Sequence, residues 1–285
     1  MSLFSLSLWF STSAIGTAIA GTVLIQPAEQ AQWQLDSSAF HCRLQQRVSG
    51  LGQVSFALEP GQPLQLDLEL AQPYPTLEQA TVAARSADWQ PDTIQPESQP
   101  YMAELYHDSQ ISFLQAALPL FQQVQAGAWL QFELGNGRQQ QQQLLLTSVR
   151  GHEAVEQFRG CVAKMSPLSW QQARDTDIVF ASGQRLVDRT QLPVLQKLAR
   201  YLQLDPSVKK ILIDGHTDDV GTVLANRQLS KERADEVAAR LIELGVKASM
   251  LEVRAHGNRY PLLHSQGKAE QSNRRVSIRL IRTTS

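Results

Sequence analysis

Apolar and polar side chains alternate every second residue through much of the first half of the chain. In the second half this gives way to a mixture of helical and strand periods. Gln53 to Leu58, Leu64 to Leu70, Trp129 to Leu134 and Gln143 to Val149 are separated by Gly-Asn, Pro-Gly and related turn signals, so each predicts a half-buried strand. Together they predict an antiparallel barrel or sandwich. Glu153 to Lys164 breaks the pattern: Val155, Phe158 and Val162 fall on one face of a short amphipathic helix that also carries Cys161.

After Ser166-Pro167-Leu168 the pattern predicts alternating strands and helices. Strands fall around Ile178 to Phe180, Lys209 to Asp214, Leu251 to Arg254 and Val276 to Ile281. Between them run a helix carrying Leu195, Leu198 and Leu202, and a second carrying Ala234, Val237, Ala238, Leu241 and Ile242. Pro193 suits the first turn of the earlier helix, where a missing N–H costs nothing. The expectation is a two-domain α+β protein, with a mainly antiparallel β domain over residues 21–165 and a mixed α/β sandwich over 166–285. The coil from Gly257 to Ser272 is long enough to form a lid or rim.

At 285 residues and 42% hydrophobic content the chain is large enough for two cores. Leu3 to Ala20 is apolar and ends in Ala18-Ile19-Ala20, which reads as a signal peptide over residues 1–20; an uncleaved membrane anchor is the alternative. An exported protein with only Cys42 and Cys161 favours a disulfide between them, tying the beginning of the N-terminal domain to its end. Neither cysteine directly follows the cleavage site, which argues against a lipid anchor.

Charge divides between the halves. Gly21 to Met165 holds 7 Lys+Arg against 14 Asp+Glu, whereas Ser166 to Ser285 holds 19 against 13. A basic second domain is drawn to anionic polymers.

The candidate chemistry lies in Gly215-His216-Thr217-Asp218, Asn226, Leu229-Ser230-Lys231-Glu232-Arg233-Ala234 and Asn273-Arg274-Arg275-Val276. Asp218, just beyond a strand, offers acceptors to an ammonium, and Arg233, on the following helix, offers a planar fork to a carboxylate. Gly221 permits close backbone approach, and loop amides near the helix start favour an anion. This combination resembles the signature of the OmpA-like peptidoglycan-associating domain, over about the last 110 residues. The resemblance implies that Asp218 and Arg233 contact diaminopimelate, that Thr217 and Asn226 help form the pocket, and that Asn273, Arg274 and Arg275 line it. It implies no cofactor.

Plainer readings stay open. Asp218 and Arg233 can pair with each other, and Arg275 can be an ordinary edge-strand charge. His216 lacks a second His or Cys at ligand spacing in its loop, so a packed, hydrogen-bonded histidine is expected rather than a metal ligand. A specific zwitterion pocket in an exported protein leaves nucleic acid a weak explanation for the basic residues.

The whole chain is similar to the MotY family of flagellar motor proteins. The likeness rests on the leader without a lipid cysteine, the sheet-rich first half flanked by Cys42 and Cys161, Trp89-Gln90-Pro91, and the wall-binding domain last. It implies a bridged cysteine pair in the periplasm and a ring assembly at the flagellar basal body. The C-terminal domain would then secure that ring to peptidoglycan near stator-associated proteins. A nonflagellar envelope organiser is the alternative. A hydrolase would need a positioned acid and base, a Cys/His pair or a metal cage. His41 beside Cys42 is not such a pair, since a bridged cysteine cannot act as nucleophile. The expectation is a binding protein and not an enzyme.

Overall fold

The computed structural model describes residues 22–73, 77–87, 99–135, 141–264 and 268–283. The leader 1–20, the Trp89-Gln90-Pro91 element and the start of the glutamine run at Gln139 and Gln140 lie outside the described residues. The chain divides into two compact units. Among the described residues, the first takes the chain up to Trp33 together with Gln46–Val54 and Asp67–His152, and the second takes Gln34–Gln45, Ser55–Leu66 and the chain from Glu153 onward.

The first half supplies β1 (Thr22–Ile25), β2 (Gln34–Ser37), β3 (Cys42–Val48), β4 (Gly52–Leu58), β5 (Gln65–Leu70), β6 (Gln79–Arg85), β7 (Tyr101–Met102), β8 (Leu105–His107), β9 (Gln110–Phe113), α1 (Leu114–Gln125), β10 (Trp129–Gly135) and β11 (Gln141–Leu146). These strands form two open sheets, ordered β1-β11-β10-β6-β7 and β2-β3-β4-β5-β9-β8. Among the described residues neither closes on itself, so the barrel alternative falls and the sandwich alternative stands.

In the five-stranded sheet Ala80, Val82, Leu130, Phe132, Leu134 and Leu144 are fully buried. Their partners at Gln131, Glu133 and Gln143 hydrogen-bond among themselves on the other face, as two-residue alternation requires. Helix α1 packs against β6 and β10 and buries Ala116, Ala117, Leu120, Phe121 and Val124. Its sequence signal is masked by Pro119 inside the helix and by the lack of a capping side chain at Phe113. The cap comes from elsewhere: the Glu104 carboxylate accepts from Leu114 N at 2.8 Å and Gln115 N at 3.0 Å.

The second half adds α2 (Gly151–Lys164), α3 (Trp170–Ala173), β12 (Asp175–Val179), α4 (Leu192–Leu204), β13 (Val208–His216), α5 (Val223–Glu243), β14 (Leu251–Gly257) and β15 (Arg275–Arg282). Its sheet runs β12-β15-β13-β14, with β13 and β14 parallel and the other pairs antiparallel. Ile211 and Ile213 of β13 join Ile178, Val276, Ile278 and Leu280 in a core completed by Leu195, Leu198 and Tyr201 of α4 and Ala234, Val237 and Leu241 of α5. Pro193 opens α4 as expected. Gly215 permits the close seating of α5: an added Cβ would fall well inside van der Waals contact of the Ser230 carbonyl oxygen. Because β15 lies between β12 and β13, Arg275 is not an edge-strand charge; it is buried, at 6% exposure.

The same compact unit holds the β2–β3 turn. Phe40 packs on Tyr201 with ring centroids 5.4 Å apart, and Ser166 N donates to Ala39 O at 2.8 Å. Arg282 lies over the Trp170 ring at 3.8 Å and donates to Asp205 at 2.7 Å, while the Tyr201 hydroxyl donates to Asp205 at 2.6 Å. Burial and the Asp205 contact push Tyr201 up to about 12. Burial raises Asp205, but hydrogen bonds from Ser207, Tyr201 and Arg282 outweigh it and hold the carboxyl at about 2. Cys42 and Cys161 are joined across 119 residues with their Cα atoms 6.0 Å apart. Closing a loop of this length removes enough unfolded-chain entropy that replacing both cysteines with serine should lower stability by about 2–5 kcal/mol. Urea denaturation of the oxidised protein and the double variant measures this directly.

Candidate functional site

The motif residues converge at one end of the four-stranded sheet, where β12 and β13 finish and β15 begins. Asp218 follows β13 by two residues. Thr222 caps α5 through its hydroxyl, which accepts from Ala225 N at 3.2 Å, and Gly221 takes the left-handed conformation, φ +99°, that turns the loop into the helix. Asn226, in the first turn, donates to Asp218 O at 3.3 Å and so fixes the loop's shape.

Arg233 is fully buried, which is rare for a charged side chain. Its Nε donates to Gln184 O at 2.8 Å, Nη2 to Ala181 O at 3.2 Å and Nη1 to His216 O at 3.4 Å, and its guanidinium lies 5.1 Å from the Phe180 ring centre. Burial, then the neighbouring Arg274 cation, lowers its pKa to about 10, so it remains charged at pH 7.

Asp218 does not pair with Arg233. It pairs with Arg274, whose Nη1 donates to Oδ2 at 2.9 Å with both side chains only 10% exposed. Arg274 also donates through Nε to Phe180 O at 3.2 Å and through Nη2 to Gln271 Oε1. Asn273 is spent on the protein: its Oδ1 accepts from Leu262 N and Leu263 N at 2.8 and 3.2 Å, and its Nδ2 donates to Leu263 O at 2.7 Å. It clasps the loop after β14 rather than presenting a free amide.

Arg275 turns to the polar side of the sheet, donating to Ser277 Oγ at 3.1 Å and Tyr260 O at 3.5 Å. Two buried polar atoms in this region, Thr217 Oγ1 and Arg275 Nη1, have no hydrogen-bond partner among the described residues.

Asp218, Arg274 and Asn226 are thus brought into direct contact, Arg233 joins through the carbonyls around them, and Asn273 and Arg275 hold the loop after β14. Two buried guanidiniums face one carboxylate, so the centre carries an excess positive charge that favours an anion, while Asp218 supplies acceptors for a cation. Gln184, Gln271 and the carbonyls of Phe180 and Ala181 were not singled out from sequence. The Ser182-Gly183 turn, with Gly183 at φ +68°, is the one local signal that marks the loop of Phe180, Ala181 and Gln184.

His216 is buried, as its packed reading requires. Its Nδ1 donates to Arg259 O at 3.2 Å and its ring stacks on His256 with centroids 5.0 Å apart. His256 Nε2 meets Asp214 at 2.8 Å, and Arg254 Nε donates to the same carboxylate at 2.6 Å. Among the described residues no His, Cys, Asp and Glu cluster suits a metal ion, and no helix is long and apolar enough to cross a membrane.

Comparison with known proteins first defines the class. Residues 179–275 match the OmpA family. The chain itself belongs to the MotY N-terminal domain family, which matches residues 25–167, half its length. It is 34% identical over 110 residues to the outer-membrane lipoprotein YfiB of Pseudomonas aeruginosa, covering 38% of this chain and 65% of that protein. It is 32% identical over 101 residues to the peptidoglycan-associated lipoprotein of Legionella pneumophila, covering 35% of this chain and 57% of that protein. Both matches span less than two thirds of the relatives' own length. Among solved structures, the peptidoglycan-associated lipoprotein of Burkholderia pseudomallei shares 29% identity over 37% of this chain and 89% of its own, with a TM-score of 0.33. The periplasmic domain of Helicobacter pylori MotB shares 20% over 39% and 83%, with a TM-score of 0.34.

Burial, then the Arg275 cation, depresses His216 to about 4 from an ordinary 6.5. The folded state resists a proton that the unfolded state accepts, so stability is lost as pH falls from about 6.5 and levels off below about 4. The size of that loss is about 3 kcal/mol. Denaturation midpoints across this window should fall for the parent protein and fall less steeply for His216→Gln.

Proposed function

We propose that the protein is a periplasmic component of the flagellar motor that anchors a ring at the basal body to peptidoglycan, without catalysing a reaction. The observation that carries this reading is the joining, in one chain, of the MotY N-terminal domain to an OmpA-family domain in which Asp218 pairs with Arg274 beside the buried Arg233. The recognised group is the free ammonium and carboxylate at the end of a diaminopimelate side chain. The ammonium competes with Arg274 for Asp218, and the carboxylate meets the excess positive charge and the loop amides near α5. The names of the peptidoglycan-associated lipoproteins and of MotB point the same way by likeness.

Division of labour follows. The region 21–165 carries attachment to the basal body and stator-associated proteins, and 166–285 carries wall binding, with residues 1–20 as export signal. In a deletion strain, the full chain should restore swimming and ring assembly scored by electron microscopy. Normal swimming and rings in that strain would instead favour a nonflagellar envelope organiser.

Asp218→Ala should weaken calorimetric binding to a diaminopimelate-containing peptide, and pull-down by sacculi, by about 1–3 kcal/mol. Arg233→Ala also strands three carbonyls, so its fold is checked first by circular dichroism. Undiminished affinity in both folded variants would remove the site.

A further inference from the structure

The loop after β14 holds a tyrosine in a conformation that tyrosine avoids. Tyr260 has φ +60°, in the left-handed region that strains a residue with a Cβ. Two buried side chains over-determine this strained turn by gripping consecutive carbonyls: His216 Nδ1 donates to Arg259 O at 3.2 Å and Arg275 Nη2 to Tyr260 O at 3.5 Å. The side chain so displayed gains little from the protein. Its ring meets His256 edge-on at 5.5 Å and remains 70% exposed.

The same loop is tied to the charge cluster on both sides of Tyr260. Thr217 N donates to Gly257 O at 2.8 Å and Asn258 to Asp219 at 3.4 Å before it, and Asn273 clasps Leu262 and Leu263 after it. Leu262 and Leu263 are themselves more than half exposed. Strain maintained for an exposed aromatic ring beside a buried polar site has no folding rationale, since glycine would fit the turn without it.

We propose that Tyr260 is a ligand-contacting residue outside the charge cluster, taking the amino-sugar part of the wall polymer while the cluster takes the peptide's zwitterionic end. A pyranose ring presents a face of C–H groups edged by hydroxyls, which the negative face of an aromatic ring and its phenolic oxygen match. A polymeric ligand extends beyond the group the cluster would hold, and Tyr260, Leu262 and Leu263 are exposed on the loop tied to Thr217, Asp219 and Asn273. This inference rests on the wall-binding reading above.

The test compares two ligands by calorimetry: the free diaminopimelate-containing peptide, and the same peptide attached to its disaccharide. Tyr260→Gly removes the ring and relieves the strained turn, so its melting temperature should equal or exceed that of the parent. Its affinity for the disaccharide-peptide should fall about 3- to 10-fold, the range of one aromatic contact, with affinity for the free peptide unchanged. Tyr260→Trp should retain most of the disaccharide-peptide affinity. Equal affinity of Tyr260→Gly and parent for the disaccharide-peptide overturns the inference, as does an equal loss on both ligands, which would make Tyr260 a support of the pocket. Failure of the parent to bind either ligand would overturn the wall-binding reading itself.

Discussion

A buried guanidinium with no carboxylate partner among the described residues governs the C-terminal end of this molecule. Arg233 satisfies its charge with three main-chain carbonyls and a ring face, drawn from the Phe180–Gln184 turn and the end of β13. A buried charge tolerates few arrangements, because each lost hydrogen bond leaves a desolvated donor or acceptor. The helix, the turn and the strand end are therefore held in one relation, and the loop bearing Asp218 has little freedom between them. Gly215 is the steric counterpart of this constraint, since α5 reaches its seat only where the strand has no side chain.

As the wall-binding site proposed above, the cluster would be preorganised but internally compensated. Arg274 occupies Asp218 at the position a ligand ammonium would otherwise seek, so the carboxylate is held in one orientation. A ligand carrying both charges exchanges one ion pair for another and adds its own anion to a centre rich in arginine. A cation alone would gain nothing from that excess charge, and an anion alone would leave Asp218 to its existing partner. Under the proposed wall-binding function, selectivity for a zwitterion would rest on this arrangement rather than on the presence of one acid and one base alone.

Sequence reading located the principal elements because their signals are local. The alternation in Gln53 to Leu58 and Trp129 to Leu134, the helical repeat around Arg233 and the placement of Pro193 each report on a few neighbouring residues, and each element formed where expected. The same locality hid α1, whose interior proline looks like a breaker and whose cap, Glu104, lies ten residues away from Leu114. Arg275 was open to the edge-strand reading for a similar reason: strand order is set by long-range pairing, and nothing near Arg275 states that β12 and β13 flank it.

What the sequence by itself determined was the inventory: which residue types stand at the ends of which elements, the acidic and basic halves, and the two cysteines whose pairing the structure shows. Only the tertiary structure decided how charges were shared. Asp218 went to Arg274 across 56 residues, Arg233 to carbonyls some 50 positions earlier, and Asn273 to the loop it clasps. Such choices depend on which donors and acceptors are desolvated together, and desolvation is a property of the packed chain rather than of any segment of it.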